Sequence, residues 1–178
     1  MKENHRLINQ DSGTTEWYTP ANIVEAARKT LGWFDLDPAS SEKANELVQA
    51  KKIYTIHDNG LSKPWNGTVW MNHPFGRKTN EQWVNKLVYE YVQGNVLAAC
   101  CITFASTSER WFQPLLRFPQ CFLYPRTNYL SADGKKITGA TKGSVVTYLG
   151  NYGYEFNKNF QGLGAIKVAF TDWPTSIE

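Results

Sequence analysis

An uninterrupted apolar run from Val96 to Ile102 places the strongest constraint on how this chain folds. The run has the length of a strand and β-branched residues at its ends, which is typical of a central strand covered on both faces. Predicted strands and helices alternate along the chain as far as residue 118, and the remainder is rich in strands. We therefore predict an α/β fold with a mostly parallel sheet, helices on both faces and an antiparallel C-terminal edge.

The spacing of hydrophobic residues, together with residues typical of helix ends, predicts where the helices and strands lie. Thr19 and Pro20 predict a helix start, with Thr19 as the N-cap, and Gly32 predicts the end of that helix. Capping-box patterns at residues 79–82 and 106–109 predict two later helices, and Pro119 ends the second. A further helix is predicted at residues 41–50, strands at 33–37, 52–56, 68–72, 121–124, 144–149 and 165–170, and a loop or hairpin turn at 150–164.

Length and composition predict one folded domain. The 178 residues, with 42% hydrophobic and 14% aromatic side chains, are too apolar for a disordered chain. Residues 1–16 lack periodicity and are predicted to form a flexible N-terminal arm, with a single domain at 17–178. No apolar run approaches the roughly 20 residues that span a bilayer, and the polar N-terminus does not resemble a signal peptide. Three cysteines without zinc spacing predict buried thiols in a reducing cytoplasm and no metal site.

Positive charge is concentrated in one segment. Between residues 110 and 142 six cations face a single acid, Asp133, which gives this segment a net charge of +5 within a chain of +3. Such a segment suits a phosphate backbone, because each neutralised phosphate releases counterions. An exposed helix and hairpin without a specific partner explain the charge equally well. The candidates for contact with such a backbone are Arg110, Arg126, Lys135 and Lys136.

The tetrapeptide Asn72-His73-Pro74-Phe75 follows a predicted buried strand. Ligands of open α/β sheets bind outside the carboxyl ends of strands. The Asn72 amide oxygen and the His73 carbonyl can each accept a hydrogen bond from an exocyclic amine, while Phe75 can stack on a base. Two acceptors hold the lone pair of the amine out of conjugation and direct it at an electrophile. The four residues also fit an ordinary strand-to-loop corner.

Further polar residues follow two other predicted elements. Tyr18, Thr19 and Pro20 stand at a helix start, and Asp37, followed by Pro38 and Ala39, ends a predicted strand. A carboxylate there can hold an ammonium or sulfonium group, and a helix N-terminus can take a carboxylate. Asp58 follows the next predicted strand. Each aspartate also fits a turn or capping role, which is the commoner use of these sequences.

Taken together and in order, these segments resemble the phage-type Dam family of DNA adenine methyltransferases, which use S-adenosylmethionine. The resemblance covers residues 16–150 and includes Trp17 to Pro20, Phe34 to Ala39, Asp58 to Leu61 and Val69 to Phe75. It implies a Rossmann-like methyltransferase sheet and methyl transfer to a flipped adenine in double-stranded DNA, in the host cytoplasm if a phage encodes the chain.

The resemblance also implies roles for single residues. Asn72, His73, Pro74 and Phe75 would bind the target base. Tyr18, Thr19, Pro20, Asp37, Pro38, Ala39 and Asp58 would form the cofactor site. It implies neither a membrane nor an obligate protein partner.

Two departures from the family pattern leave other functions open. No glycine follows Asp37 in the segment to Ser40, and His73 stands where the family signature has its first proline. The contact expected at position 73 comes from a backbone carbonyl, which histidine also has. A catalytically impaired DNA-binding protein and a transferase that modifies another base amine are the alternatives.

Overall fold

The structure, a computed structural model, describes residues 17–76, 79–131, 133–137 and 142–168. Its seven described strands are β1 (Leu36–Asp37), β2 (Lys52–Ile53), β3 (Gly67–Met71), β4 (Val96–Phe104), β5 (Gln120–Leu123), β6 (Ser144–Leu149) and β7 (Gly164–Lys167). They form one sheet in the order β2-β1-β3-β4-β6-β5-β7. Neighbours from β2 to β4 are parallel, and neighbours from β4 to β7 are antiparallel. The predicted antiparallel C-terminal edge is therefore confirmed. The prediction of a mostly parallel sheet is wrong, because three of the six strand pairings are antiparallel.

Helices cover both faces of this sheet, as predicted. The α-helices in the described residues are α1 (Ala21–Leu31), α2 (Glu42–Val48), α3 (Asn80–Val92) and α4 (Gly153–Phe160), and the 3-10 helices are Gly60–Ser62 and Arg110–Arg117. One face packs against α1 and α4, and the other against α3 and the longer 3-10 helix. The fold is thus a mixed α/β layer structure.

The central position of β4 explains its apolar sequence. Cys100 and Ile102 pack in the core on the α1 side, whereas Ala99 and Cys101 pack in the core on the α3 side. Because alternate side chains of a strand point to opposite faces, a strand covered on both faces needs apolar residues at every position. Cys121 is buried as well, and all three cysteines are free thiols.

The prediction of a loop or hairpin turn at residues 150–164 is wrong, because this segment contains α4. Phe156 and Phe160 lie four residues apart on one face of α4, and both are fully buried. This spacing is the helical signal, and the surrounding Asn, Tyr and Gly residues conceal it in the sequence. The face packs against α1 and the sheet.

Helix starts differ from the predictions in their capping. Pro20, and not Thr19, occupies the N-cap position of α1, and the Thr19 hydroxyl is buried without a hydrogen-bond partner among the described residues. Neither predicted capping box forms a side-chain cap. The predicted helix after residue 106 is a 3-10 helix that contains Pro114, whose ring nitrogen cannot donate the hydrogen bond of an α-helix.

The predicted strands at 33–37 and 52–56 are shorter than expected, at two residues each. β2 is the edge strand of the sheet, and β1 lies between β2 and β3. The predicted arm at 1–16 and the end of the strand predicted at 165–170 lie outside the described residues. In the part of the chain that the structure describes, no helix has the length and apolar character needed to cross a membrane.

Candidate active site

A cavity of about 510 Å³ opens at the carboxyl ends of β1 and β3. These strands are parallel neighbours, so the residues that follow them meet at one edge of the sheet. The volume lies in the range of small-molecule sites. Of the predicted site residues, the cavity is lined by Tyr18, Thr19, Asp37, Pro38, Ala39, Asn72, His73 and Pro74, and not by Pro20, Asp58 or Phe75.

Asn72 enters the cavity with its amide in a defined orientation. Its Nδ2 donates a hydrogen bond of 2.6 Å to the backbone carbonyl of Trp17. Because Nδ2 is turned to this carbonyl, the amide oxygen Oδ1 is the end left for a ligand. The site therefore offers a hydrogen-bond acceptor at the position that follows β3.

His73 is held in the core by its ring. The side chain is 1% exposed, its Nε2 lies 3.1 Å from Oδ1 of Asn80, and it stacks on Trp83 at a centroid distance of 6.2 Å. Burial lowers the pKa of His73 to about 4, so the imidazole is neutral at physiological pH. The histidine thus anchors the corner without adding charge to the cavity.

Asp37 supplies a buried carboxyl to the same cavity. Its side chain is 2% exposed, and its Oδ1 accepts a hydrogen bond of 3.2 Å from the Ala39 N–H. Burial raises the pKa of Asp37 from 3.8 to about 7, and the neighbouring Ser40 hydroxyl and Ala39 N–H offset this effect only in part. No ion pair with Asp37 is formed within the described ranges. A cationic ligand group would supply the missing charge.

Residues with unpaired buried polar atoms line the same cavity as this carboxyl. Among the described residues, four buried side-chain polar atoms lack a partner in hydrogen-bond geometry, and three of them belong to cavity-lining residues: Thr19 Oγ1, Ser40 Oγ and His73 Nδ1. Ser40 Oγ is near the Asp37 carboxyl but outside that geometry. Buried polar groups are normally paired, so unpaired ones point to a missing partner. Carboxyl and hydroxyl groups together fit a ligand with both an ammonium and a carboxylate, as in an amino acid.

The segment after β2 forms the floor near Pro38. Gly60 lines the cavity, and a Cβ at this position would overlap the backbone carbonyl of Pro38. Asn59, with a φ of 53°, precedes it. Asp58 Oδ2 accepts hydrogen bonds of 2.8 Å from the backbone N–H and the hydroxyl of Thr55, which lower the pKa of Asp58. Asp58 therefore closes the turn that carries Gly60.

Phe75 packs beside the cavity in an aromatic cluster. Its ring centroid lies 4.4 Å from that of Phe104 and 5.8 Å from that of Tyr129, and it is partly buried. The ammonium of Lys142 lies 5.5 Å from the centre of the Phe104 ring. Lys142 thus brings a cation of the basic segment to this cluster.

Only part of the basic segment, residues 110–142, lies close to the cavity. Ser131 and Gly134 line the cavity, and exposed Lys135 and Lys136 belong to the same loop, which pairs with Leu130. Lys135 forms an exposed ion pair of 2.8 Å with Asp133. Arg126 is exposed on the segment that leads to this loop, whereas Arg110 begins the 3-10 helix that packs on α3. The structure therefore does not place Arg110 in the cavity wall.

Four contributors to the site were not predicted as site residues. Trp17 orients Asn72, Asn80 and Trp83 hold His73, and Gly60 lets the floor approach Pro38. Trp17 directly precedes the predicted Tyr18, which is a usable signal, but nothing in the sequence links Asn80 to His73. No group of three or more potential metal-ligating side chains occurs in the described residues.

Known proteins match most of this chain. A family model described as DNA N-6-adenine-methyltransferase (Dam) matches residues 8–157, which include the whole cavity lining. A DNA N-6-adenine-methyltransferase of Escherichia phage T1 is 25% identical over 150 residues, which cover 73% of this chain and 60% of the relative. The chain therefore spans less than two thirds of the length of that relative.

Proposed function

Because the chain belongs to the DNA N-6-adenine-methyltransferase (Dam) family, we propose that it transfers a methyl group from S-adenosylmethionine to the N6 amine of an adenine flipped out of double-stranded DNA. One observation carries the proposal: Asp37 and Asn72, from two neighbouring strands, line a single cavity. A group that holds a cofactor and a group that holds an amine are thereby brought together.

The chain positions the amine with two acceptors. Oδ1 of Asn72 accepts from one N–H of the adenine amine, and the His73 carbonyl accepts from the other. Pro74 fixes the turn that presents both. Two acceptors draw the nitrogen lone pair out of the ring system, so the amine becomes the nucleophile without a catalytic triad. S-adenosylmethionine supplies the electrophilic methyl group when bound.

Asp37 and the neighbouring hydroxyl groups fit the amino-acid part of that cofactor. The buried Asp37 carboxylate binds the ammonium group of the cofactor, while the hydroxyls of Thr19 and Ser40 donate hydrogen bonds to the carboxylate of the cofactor. Tyr18, Pro38 and Ala39 form the surrounding wall. The roles of Pro20, Asp58 and the stacking of Phe75 on the base stay predictions, because these three residues lie outside the lining.

The basic segment binds the phosphate backbone in this proposal. Lys135 and Lys136 extend from the loop that borders the cavity, and Arg126 precedes it. Contacts with phosphate offset the cost of extruding the adenine, which is a few kcal/mol. Arg110 is a more distant candidate.

The parallel strands β2-β1-β3-β4 form the Rossmann-like half of the sheet in this proposal. The enzyme acts in the host cytoplasm if a phage encodes it.

The proposal is tested by transfer of labelled methyl groups from S-adenosylmethionine to unmethylated duplex DNA, with mass analysis of the released nucleosides. We expect N6-methyldeoxyadenosine from the wild-type chain. Asn72→Ala should reduce the rate by at least about a hundredfold, since it removes an acceptor used in the transition state. Its dissociation constant for S-adenosylmethionine should stay close to that of the wild type.

Other products identify the alternatives. N4-methyldeoxycytidine, distinguished from 5-methyldeoxycytidine by its retention time, would assign the enzyme to another base amine. Salt-dependent DNA binding without stabilisation by S-adenosylmethionine would identify a DNA-binding protein that does not catalyse the transfer. An Asn72→Ala variant that methylates DNA at the wild-type rate would show that Asn72 does not hold the amine.

A further inference from the structure

The backbone carbonyl of Trp17 decides which end of the Asn72 amide faces the cavity. An asparagine amide has a donor at one end and an acceptor at the other. A carbonyl oxygen accepts only, so at 2.6 Å it is compatible with Nδ2 and not with Oδ1. The contact therefore fixes the direction in which Oδ1 points.

Contacts on both sides hold this carbonyl in place. Tyr18, the next residue, exchanges two backbone hydrogen bonds of 2.9 Å with Leu130. The Trp17 ring packs edge-on against Tyr129 at 5.4 Å and against Phe104 at 6.4 Å, measured between ring centroids. The segment that carries the carbonyl is thus attached to the loop that bears the basic side chains.

We propose that Trp17 is a positioning residue whose carbonyl keeps Oδ1 of Asn72 toward the substrate amine, and that it thereby makes asparagine, and not aspartate, the working residue at position 72. This inference rests on the proposed function. An ionised aspartate at 72 would turn a carboxylate oxygen toward the Trp17 carbonyl, and two acceptors repel each other. A protonated aspartate could donate to that carbonyl and restore the arrangement.

The first test compares methyl transfer by Asn72→Asp and the wild type between pH 5.5 and 8 at saturating S-adenosylmethionine and DNA. The titratable groups that line the same cavity are Tyr18, Asp37, Lys43, Glu46 and His73. Both proteins contain them, so the ratio of the two kcat values reports on position 72. We expect this ratio to be far below one at pH 8 and to rise by up to about tenfold for each unit that the pH falls, because only protonated aspartate is competent.

A ratio that is independent of pH, or that falls with decreasing pH, would overturn the inference. An Asn72→Asp variant as active as the wild type at pH 8 would do the same. Absence of methyl transfer by the wild-type chain would instead contradict the proposed function, and the positioning contact would then be judged by the second test.

The second test needs neither cofactor nor DNA. Nuclear magnetic resonance of the ¹⁵N-labelled protein detects the side-chain amide of Asn72, assigned by its loss in Asn72→Asp. We expect slow hydrogen exchange of this amide in the wild type and in Trp17→Phe, which keeps an aromatic ring. In Trp17→Ala the exchange should be faster. Trp33→Ala, which removes an exposed indole at the opposite end of β1, is the matched control and should leave the signal unchanged.

Fast exchange of the Asn72 amide in the wild type would show that the carbonyl does not hold it. Unchanged slow exchange in Trp17→Ala would show that the Trp17 ring does not keep the carbonyl in place. Either result contradicts the positioning role.

Discussion

Folding changes the protonation state of the buried Asp37 carboxyl. Its pKa rises from 3.8 to about 7 on burial, so between these values the unfolded chain releases a proton that the folded chain keeps. The contribution of Asp37 to stability is therefore complete below pH 3.8 and is lost as the pH rises to about 7. A bound ammonium group would favour the ionised form and relieve this loss.

We expect Asp37→Asn to raise the melting temperature of the ligand-free protein relative to the wild type. The difference should widen from pH 4 to pH 7 and stay level above pH 7, as measured by calorimetry. Asp58→Asn is the matched control with the opposite sign, because hydrogen bonds from Thr55 lower the pKa of Asp58 and so favour the folded state when the carboxylate is charged. A difference for Asp37→Asn that does not vary with pH would contradict its buried state.

Gly60 is a second residue whose identity the site requires. A Cβ there would overlap the carbonyl of Pro38, so Gly60→Ala must displace the wall beside Asp37. We expect a lower melting temperature and weaker binding of S-adenosylmethionine, measured by thermal denaturation and calorimetric titration. Gly153→Ala is the control, since a Cβ at that helical position meets open space. Equal behaviour of the two variants would contradict the close approach at Gly60.

At the scale of residues, the sequence identifies the groups that carry chemistry better than those that orient them. Asp37 ends β1, Asn72 and His73 follow β3, and all three have recognisable functional groups, so their convergence in one cavity is predictable. The contacts from Trp17 to Asn72 and from Asn80 to His73 depend on tertiary packing. The partner of Asn72 is a backbone carbonyl, which has no residue signature, and nothing in the sequence links the Asn80 side chain to His73, so neither contact was predicted.

At the scale of elements, α4 shows where local patterns are insufficient. Its sequence contains Gly153, Asn157 and Asn159, and Gly and Asn favour turns, but Phe156 and Phe160 are fully buried against α1 and the sheet. Burial of the two rings outweighs the weak helix propensity of their neighbours. In contrast, β4 and β6 are predictable because every position of β6 and nearly every position of β4 is buried.

We expect Phe156→Ala to lower the free energy of unfolding by about 3–5 kcal/mol, the usual effect of replacing a buried phenylalanine. Tyr154→Ala on the exposed side of α4 should change it by no more than about 0.5 kcal/mol. Urea denaturation measures both. Similar effects of the two substitutions would contradict the orientation of α4.

At the scale of the whole molecule, part of the basic segment lies at the same edge of the sheet as the cavity. The loop with Lys135 and Lys136 borders the cavity, and Lys142 reaches the aromatic cluster around Phe75. DNA is therefore expected to approach the carboxyl edge of the parallel strands.

Replacing Lys135 and Lys136 together by Gln should weaken DNA binding and reduce the slope of log K against log salt by about 0.9 for each phosphate that is no longer neutralised. Fluorescence anisotropy at several salt concentrations measures this slope. Lys158→Gln on α4 removes an exposed charge away from the cavity and should leave the slope unchanged. An unaltered slope in the double variant would show that these lysines do not bind phosphate.

A crystal structure of the protein with S-adenosylmethionine is the decisive measurement. We predict that the cofactor occupies the cavity between α2 and the segment that follows β3, with its ammonium group hydrogen-bonded to Asp37 and its methyl group directed toward Oδ1 of Asn72. A cofactor bound elsewhere, or one whose methyl group points away from Asn72, would contradict the proposal that these two side chains serve one transfer reaction.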